Sequence, residues 1–172
     1  LHLHQMDVAT AYLNSELTDN VYMKQPENFV DENNPGKVLK LKRALYGLKQ
    51  SGRQWNLTLD RILKEIGFQP CKSDPCLYQR KNSHINLIAV YVDDLLIACS
   101  DLDELNLVKS QISERLPAVD KVPAKHFLSI EIERKGDIGE IAIHQVKYKR
   151  ELSQQYKMEE CRQVHTPLEA KF

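Results

Sequence analysis

The chain has 172 residues, 42% of them hydrophobic and 28% charged, with 24 Lys and Arg against 24 Asp and Glu. That is enough chain for one globular domain, or a domain with a small appendage, around a sizeable core. A net charge of zero removes bulk charge as a sign of a polyanion partner, so any such sign must come from local clustering. No apolar run approaches the roughly 20 residues of a membrane helix, no signal peptide is visible, and no membrane partner is expected. Cys71 and Cys76 form one close pair without a second to complete a zinc site, so free thiols in a reducing compartment are expected. His2 and His4 share a strand face but lack a third ligand. The sequence opens at Leu1 inside an alternating pattern, as expected of a segment of a longer polypeptide.

The alternation of Leu1, Leu3 and Gln5 with His2, His4 and Met6 predicts a strand that runs into Asp7. A short helix is expected over "ATAYLNSEL". Short strands are expected at "VYMKQ" and "KVLKLKR", joined by the turn formers "DENNPG". Trp55, Leu59, Ile62, Leu63 and Ile66 make one apolar stripe. They predict a helix over 51–66, with Ser51 as its cap and Gly67 as its stop. "CLYQRK" is the next strand. "INLIAVYV" and "LLIACS" then read as a hairpin turning at Asp93 and Asp94. Its near-continuous apolar character places it at the centre of a sheet backed by helices. Asp101 caps a helix over 103–116, with Leu105, Val108, Ile112 and Leu116 as its inner face. "HFLSIEIERK" alternates as one strand, with Phe127, Ser129, Glu131 and Glu133 on one face. "GEIAIHQ" follows a turn over 135–139, and a last helix covers 146–158. Hairpins interrupted by helices define an α+β fold with an antiparallel sheet packed on helices.

Two adjacent carboxylates inside "AVYVDDLLIAC" demand an explanation, because unpaired charges are costly in a core. If the strand ending at Asp7 neighbours this hairpin, Asp7 and Asp93 are expected to face each other at the sheet rim. Gathered carboxylates repel one another unless a cation is present. Oxygen ligands in low number suit Mg²⁺, with substrate phosphates completing its shell. Two ions roughly 4 Å apart clamp an in-line phosphoryl displacement. A second signal is the basic run Lys37, Lys40, Lys42, Arg43, Lys49 and Arg53. Tyr46, Gly47 and Gly52 lie within it, and Trp55 closes it. Bases interleaved with aromatic and flexible residues fit phosphates and stacked bases. The alternative reading of this run is a solvated surface balanced by acids elsewhere.

Together, "QMDVATAYLNSEL" with "VYMKQPENF", "LYGLKQSGRQWN", "YVDDLLI", "HFLSIEI" and "HTPL" resemble the reverse transcriptase of Ty1/copia-type LTR retrotransposons over nearly the whole chain. The resemblance implies a right-hand polymerase palm with part of the fingers over 1–158, and a linker toward the thumb or connection over 159–172. It implies RNA-directed DNA synthesis by transfer of deoxynucleotides to a primer 3′-hydroxyl. Asp7, Asp93 and Asp94 would be the catalytic carboxylates and ligands of two Mg²⁺ ions, with Mn²⁺ as a substitute. The carbonyl of Val8 would add a backbone oxygen. Tyr12 would stack under the incoming sugar, and Gln50 and Arg53 would line the nucleotide site. Lys49 would meet the template, Tyr91 and Val92 the primer end, and the 127–132 segment would grip the primer.

The same resemblance implies an RNA or DNA template with primer, deoxynucleoside triphosphates and the rest of the Pol polyprotein, with its RNase H and integrase, as partners. It implies a cytoplasmic location in retroelement particles, or the nucleus. Two positions depart from the family pattern. Gly52 stands where Pro is usual and Ser129 where Gly is usual, changing backbone freedom at both. Basic fingers residues of the family precede its first carboxylate motif, so weak Mg²⁺ binding and poor polymerisation are expected of this segment alone. The competing readings are an inactive relic that folds and binds nucleic acid, and a cyclase with a similar palm.

Overall fold

The computed structural model describes residues 1–135 and 139–162. They fall into two compact units, the first spanning Leu1–Ala124 and the second beginning at Lys125. This boundary lies inside the 1–158 span expected as one domain. Among the described residues, no helix is long and apolar enough to cross a membrane.

The first unit begins with β1 (His2–Val8) and a single 3-10 turn over Ala11–Asn14. The expected helix at "ATAYLNSEL" thus shrinks to one turn. Ser15 returns to extended backbone, and Glu16 bridges to Arg43, so pairing with a distant segment overrides the local helical pattern. β2 (Tyr22–Lys24) and β3 (Val38–Lys40) pair antiparallel as a separate two-stranded ribbon.

Helix α1 (Ser51–Glu65) follows, with Gln50 as its N-cap. The expected cap, Ser51, is instead the first helical residue, and its hydroxyl donates to the Leu45 carbonyl. The C-terminal end is as anticipated. Gly67 sits at φ 90°, its N–H donates to Lys64 O, and the Phe68 N–H donates to Leu63 O. This pair of bonds closes a helix whose next residue must be left-handed.

Next come β4 (Gln69–Pro70), β5 (Leu77–Lys81), β6 (Ile85–Tyr91) and β7 (Asp94–Cys99). Helix α2 (Leu102–Ser113) is capped by the Asp101 carboxylate, which accepts the Glu104 N–H at 2.9 Å. β8 (Ala118–Asp120) completes a six-stranded sheet of order β4-β5-β6-β7-β1-β8, antiparallel at every pairing. β6 and β7 are interior strands, as their apolar runs predicted.

One face of this sheet packs on both helices. Met6, Val8, Tyr78, Ile88, Leu95, Ile97 and Cys99 form a single cluster with the α1 stripe and with Leu105, Val108 and Ile112 of α2. Each fully buried aliphatic side chain contributes roughly 1.5–3 kcal/mol of transfer free energy. A polar latch ties α2 to the β5–β6 hairpin. Arg80 pairs with Glu104 at 2.6 Å, and Glu104 also accepts from Asn82 and Asn86.

In the second unit the expected strand "HFLSIEIERK" is broken. β9 (His126–Phe127) turns at Leu128 and Ser129 and pairs back on β10 (Ile130–Lys135), with Ile130 opposite Phe127. Leu128 takes φ 58° at this turn. The shared face of Phe127, Ser129 and Glu131 predicted from alternation therefore does not exist, because the two-residue turn puts Phe127 on one side with Ile130 and leaves Glu131 on the other with His126. β11 (Glu140–His144) pairs with β10, and α3 (Val146–Gln155) follows. The turn expected over 135–139 lies partly outside the described residues. The "HTPL" motif and most of the expected 159–172 linker lie wholly outside them.

Candidate active site

β1 and β7 run antiparallel with Asp7 directly opposite Asp94. Directly opposed residues project from the same side of a sheet. Met6 and Leu95, one step away, are buried against the helices, so Asp7 and Asp94 project from the opposite face. The Val8 N–H donates to the Asp93 carbonyl at 2.8 Å, which places Asp93 at the same sheet end. Residues 7 and 93, remote in sequence, thus lie at one rim, although the residue that faces Asp7 is Asp94 and not, as expected, Asp93.

The hairpin turn differs by one residue from expectation. Tyr91 pairs with Asp94, so the turn residues are Val92 and Asp93, and Asp94 is already in the strand. Val92 has φ 53°, a strained conformation for a β-branched residue. The indole N–H of Trp55 donates to the Val92 carbonyl at 2.6 Å. A helix core residue therefore holds the strained turn that carries Asp93.

Two donors meet the opposed carboxylates. The Gln5 amide donates to Asp94 Oδ1 at 2.8 Å, and Lys121 Nζ pairs with Asp7 Oδ2 at 2.6 Å. The Asp7 bond holds the Lys121 amine above its usual range, and the charges of Asp94 and Asp93 add to this. Sequence reasoning missed both donors. Gln5 was findable, because residues two apart on a strand share a face. Lys121 follows a three-residue edge strand too short to announce itself.

Tyr12 packs against Tyr46 with ring centroids 4.3 Å apart and the rings tilted by 47°. Partial burial, then the charges of Asp93, Tyr12 and Asp7, raise the Tyr46 phenol above its usual pKa. Tyr12, Tyr91 and Val92 also line a cavity of about 270 Å³ with Gly52, Trp55 and Cys76. Gln50 and Arg53 stand at the N-terminal end of α1 on either side of Gly52. Among the described residues, no hydrogen bond or ion pair joins Lys49, Gln50 or Arg53 to the carboxylates. Lys37, Lys40, Lys42, Arg43, Lys49 and Arg53 are all exposed.

Among the described residues, no three His, Cys, Asp or Glu side chains gather tightly enough to cage a metal. The donor chemistry nevertheless suits a hard divalent cation bound through few carboxylates and substrate phosphates. Two carboxylates face each other, a third adjoins them, and an ammonium already sits on one of them as a cation.

A strand-end carboxylate thus stands opposite a hairpin Asp pair on a helix-backed antiparallel sheet. The profile of the reverse transcriptase (RNA-dependent DNA polymerase) family matches residues 1–170, and the chain belongs to that family. Its relatives are of the Ty1/copia type. It is 35% identical over 170 residues to the retrovirus-related Pol polyprotein from transposon TNT 1-94 of Nicotiana tabacum, covering 98% of this chain and 13% of that protein. It is 42% identical over 134 residues to the Pol polyprotein from transposon RE1 of Arabidopsis thaliana, covering 77% of this chain and 9% of that one. The putative transposon Ty5-1 protein of Saccharomyces cerevisiae is 35% identical over 164 residues, 95% of this chain and 53% of that protein. The chain thus spans a small part of the Pol polyproteins it matches.

Proposed function

We propose that this chain is the catalytic palm, with a fingers ribbon, of an RNA-directed DNA polymerase of a copia-type element. It transfers deoxynucleotides to a primer 3′-hydroxyl on an RNA or DNA template. The observation that carries the reading is the meeting of Asp7, Asp93 and Asp94 at one sheet end. These three residues, with the Val8 carbonyl, would hold two Mg²⁺ ions, or Mn²⁺ in their place. Bound there, the ions would supply Lewis acidity toward the attacking hydroxyl and the phosphate oxygens.

The remaining roles belong to the chain itself. Tyr12, braced by Tyr46, supports the sugar of the incoming nucleotide, and its ring leaves no room for a 2′-hydroxyl. Gln50 and Arg53, at the start of α1, contact the nucleotide, and Lys49 contacts the template phosphates. Tyr91, 56% exposed, and Val92 pack against the primer end. The strained turn fixed by Trp55 keeps Asp93 in place, which is the preorganisation that transition-state stabilisation needs. The 127–132 hairpin contacts the primer.

The ribbon β2–β3 carries Tyr22, 58% exposed, and lies beside the basic run, a surface suited to a single strand. The rest of the Pol polyprotein, with RNase H and integrase, completes the machine, in cytoplasmic particles and later in the nucleus. The segment alone polymerises poorly, since it spans 13% and 9% of two such polyproteins. Primer extension by the full-length parent tests the reading. Incorporation is expected in the wild type and lost in Asp93→Asn. An intact parent without incorporation would mark an inactive relic, and use of free triphosphate without primer would mark a cyclase.

A further inference from the structure

The opposed carboxylates of Asp7 and Asp94 should repel one another across the β1–β7 pair. The chain supplies its own remedy. The Lys121 backbone N–H donates to the Gln5 carbonyl at 2.8 Å, extending the β8 pairing one residue beyond Asp120 opposite Met6. Val119 stands opposite Asp7, and Lys121 shares its side of the strand. Asp120, between them, turns the other way and pairs with Lys109 of α2 at 2.7 Å. This alternation delivers the Lys121 amine to the carboxylate face, where Nζ reaches Asp7 Oδ2 at 2.6 Å. The Lys121 side chain is 49% exposed and that of Asp7 31%, so the amine can withdraw into water without unfolding anything. The Gln5 amide on Asp94 is neutral and offers a cation no charge competition.

We infer that Lys121 is a tethered cation that occupies the place of a divalent ion at Asp7 and must be displaced before metal binds. This rests on the proposed metal role of the carboxylates. The site then alternates between an ammonium-closed state, which keeps the carboxylates together without metal, and a metal-bound state with the amine released. Lys121 acts through Asp7 and is a positioning residue. Its effect is to weaken metal binding, because each ion must break a short charge-assisted bond.

The test uses Mn²⁺ alone, titrated into the chain and followed by the loss of the free-ion paramagnetic resonance signal. Lys121→Met should bind Mn²⁺ about three- to fivefold more tightly than wild type, the scale of an exposed ion pair. Lys121→Arg should stay near wild type. Lys64→Met, which removes the same charge from the far end of α1, should change affinity less than Lys121→Met. A second reading needs no variant. In ¹⁵N-lysine-labelled wild type, Mg²⁺ should shift the Lys121 Nζ signal toward that of an unpaired, solvated ammonium, and Asp7→Asn should do so without metal.

Equal Mn²⁺ affinity in wild type and Lys121→Met, with binding lost in Asp7→Asn, would overturn the latch and leave the metal site standing. No Mn²⁺ binding in either wild type or Lys121→Met would overturn both. An Nζ signal that ignores Mg²⁺ in a protein shown to bind it would also overturn the latch.

Discussion

The two faces of the six-stranded sheet solve different problems with the same strands. On the helix-backed face, Met6, Val8, Ile88, Leu95, Ile97 and Cys99 are each no more than 1% exposed and interlock with α1 and α2. On the other face, the same β1 and β7 present Gln5, Asp7 and Asp94, with Lys121 beside them. Period-two alternation makes this division possible. One register sets both the core and the carboxylates, and a slip of one residue would exchange them. The buried core therefore lies on one side of the sheet and the carboxylates proposed for chemistry on the other.

Substitutions can break that division or sharpen it. The largest expected effect is on chemistry alone. Asp93→Asn in the full-length parent should lower primer extension at least about a hundredfold while leaving stability within about 0.5 kcal/mol. Denaturation of the variant checks the second half. On the opposite face, Leu63→Ala empties a fully buried position of α1 and should cost about 2–5 kcal/mol in chemical denaturation.

Trp55 is the residue that joins the two faces, since it lies in the core and donates to the Val92 carbonyl. Trp55→Phe should therefore do both. It should cost about 1–3 kcal/mol, as the Val92 carbonyl loses its donor, and it should lower primer extension more than an equally destabilising core change. Gly52 sits in the first turn of α1 with nothing within 4 Å of a Cβ built there. Gly52→Ala should raise stability by about 0.5–1 kcal/mol.

The smallest effect is a reactivity contrast. Burial, with the nearby Glu104 charge adding, pushes the Cys99 thiol up to about 11, whereas Cys76 is exposed. A thiol whose folded pKa is raised stays protonated at neutral pH, and the thiolate is the nucleophile. Alkylation at pH 8 should label Cys76 and spare Cys99 until the protein unfolds, as peptide mass mapping would show.

Much of this was legible in the sequence where two signals agreed. α1 combined an apolar stripe with a glycine stop, and both held. The β6–β7 pair combined apolar runs with a charged break, which located the hairpin to within one residue. The carboxylate site was legible because two charges inside an apolar strand need a structural reason.

Illegible features had a common cause, which is that nothing local encodes them. The Leu128 and Ser129 turn has no Gly or Asn to mark it, and tertiary context holds Leu128 at φ 58°. The 3-10 turn replaced a helix because Glu16 found a distant partner in Arg43. Ser51 lost the cap position because its hydroxyl turned back to Leu45. Lys121 and Gln5 acquire their roles only when β8 and β7 flank β1. The second unit shows the same dependence. Its only buried hydrophobic residue among those described is Ile132, 9% exposed, so strand alternation there had little core to report on.

On the proposed reading, the segments around residues 7 and 93 jointly bind a divalent cation at the sheet rim. Fe²⁺ with ascorbate, substituted for Mg²⁺, generates hydroxyl radicals that cut backbone within reach of the bound ion. Two sets of cuts are expected in the folded chain, one near Asp7 and Val8 and one near Val92 to Asp94, both suppressed by excess Mg²⁺ and absent in Asp7→Asn. Cuts at only one of these segments, or cuts that Mg²⁺ does not suppress, would contradict it.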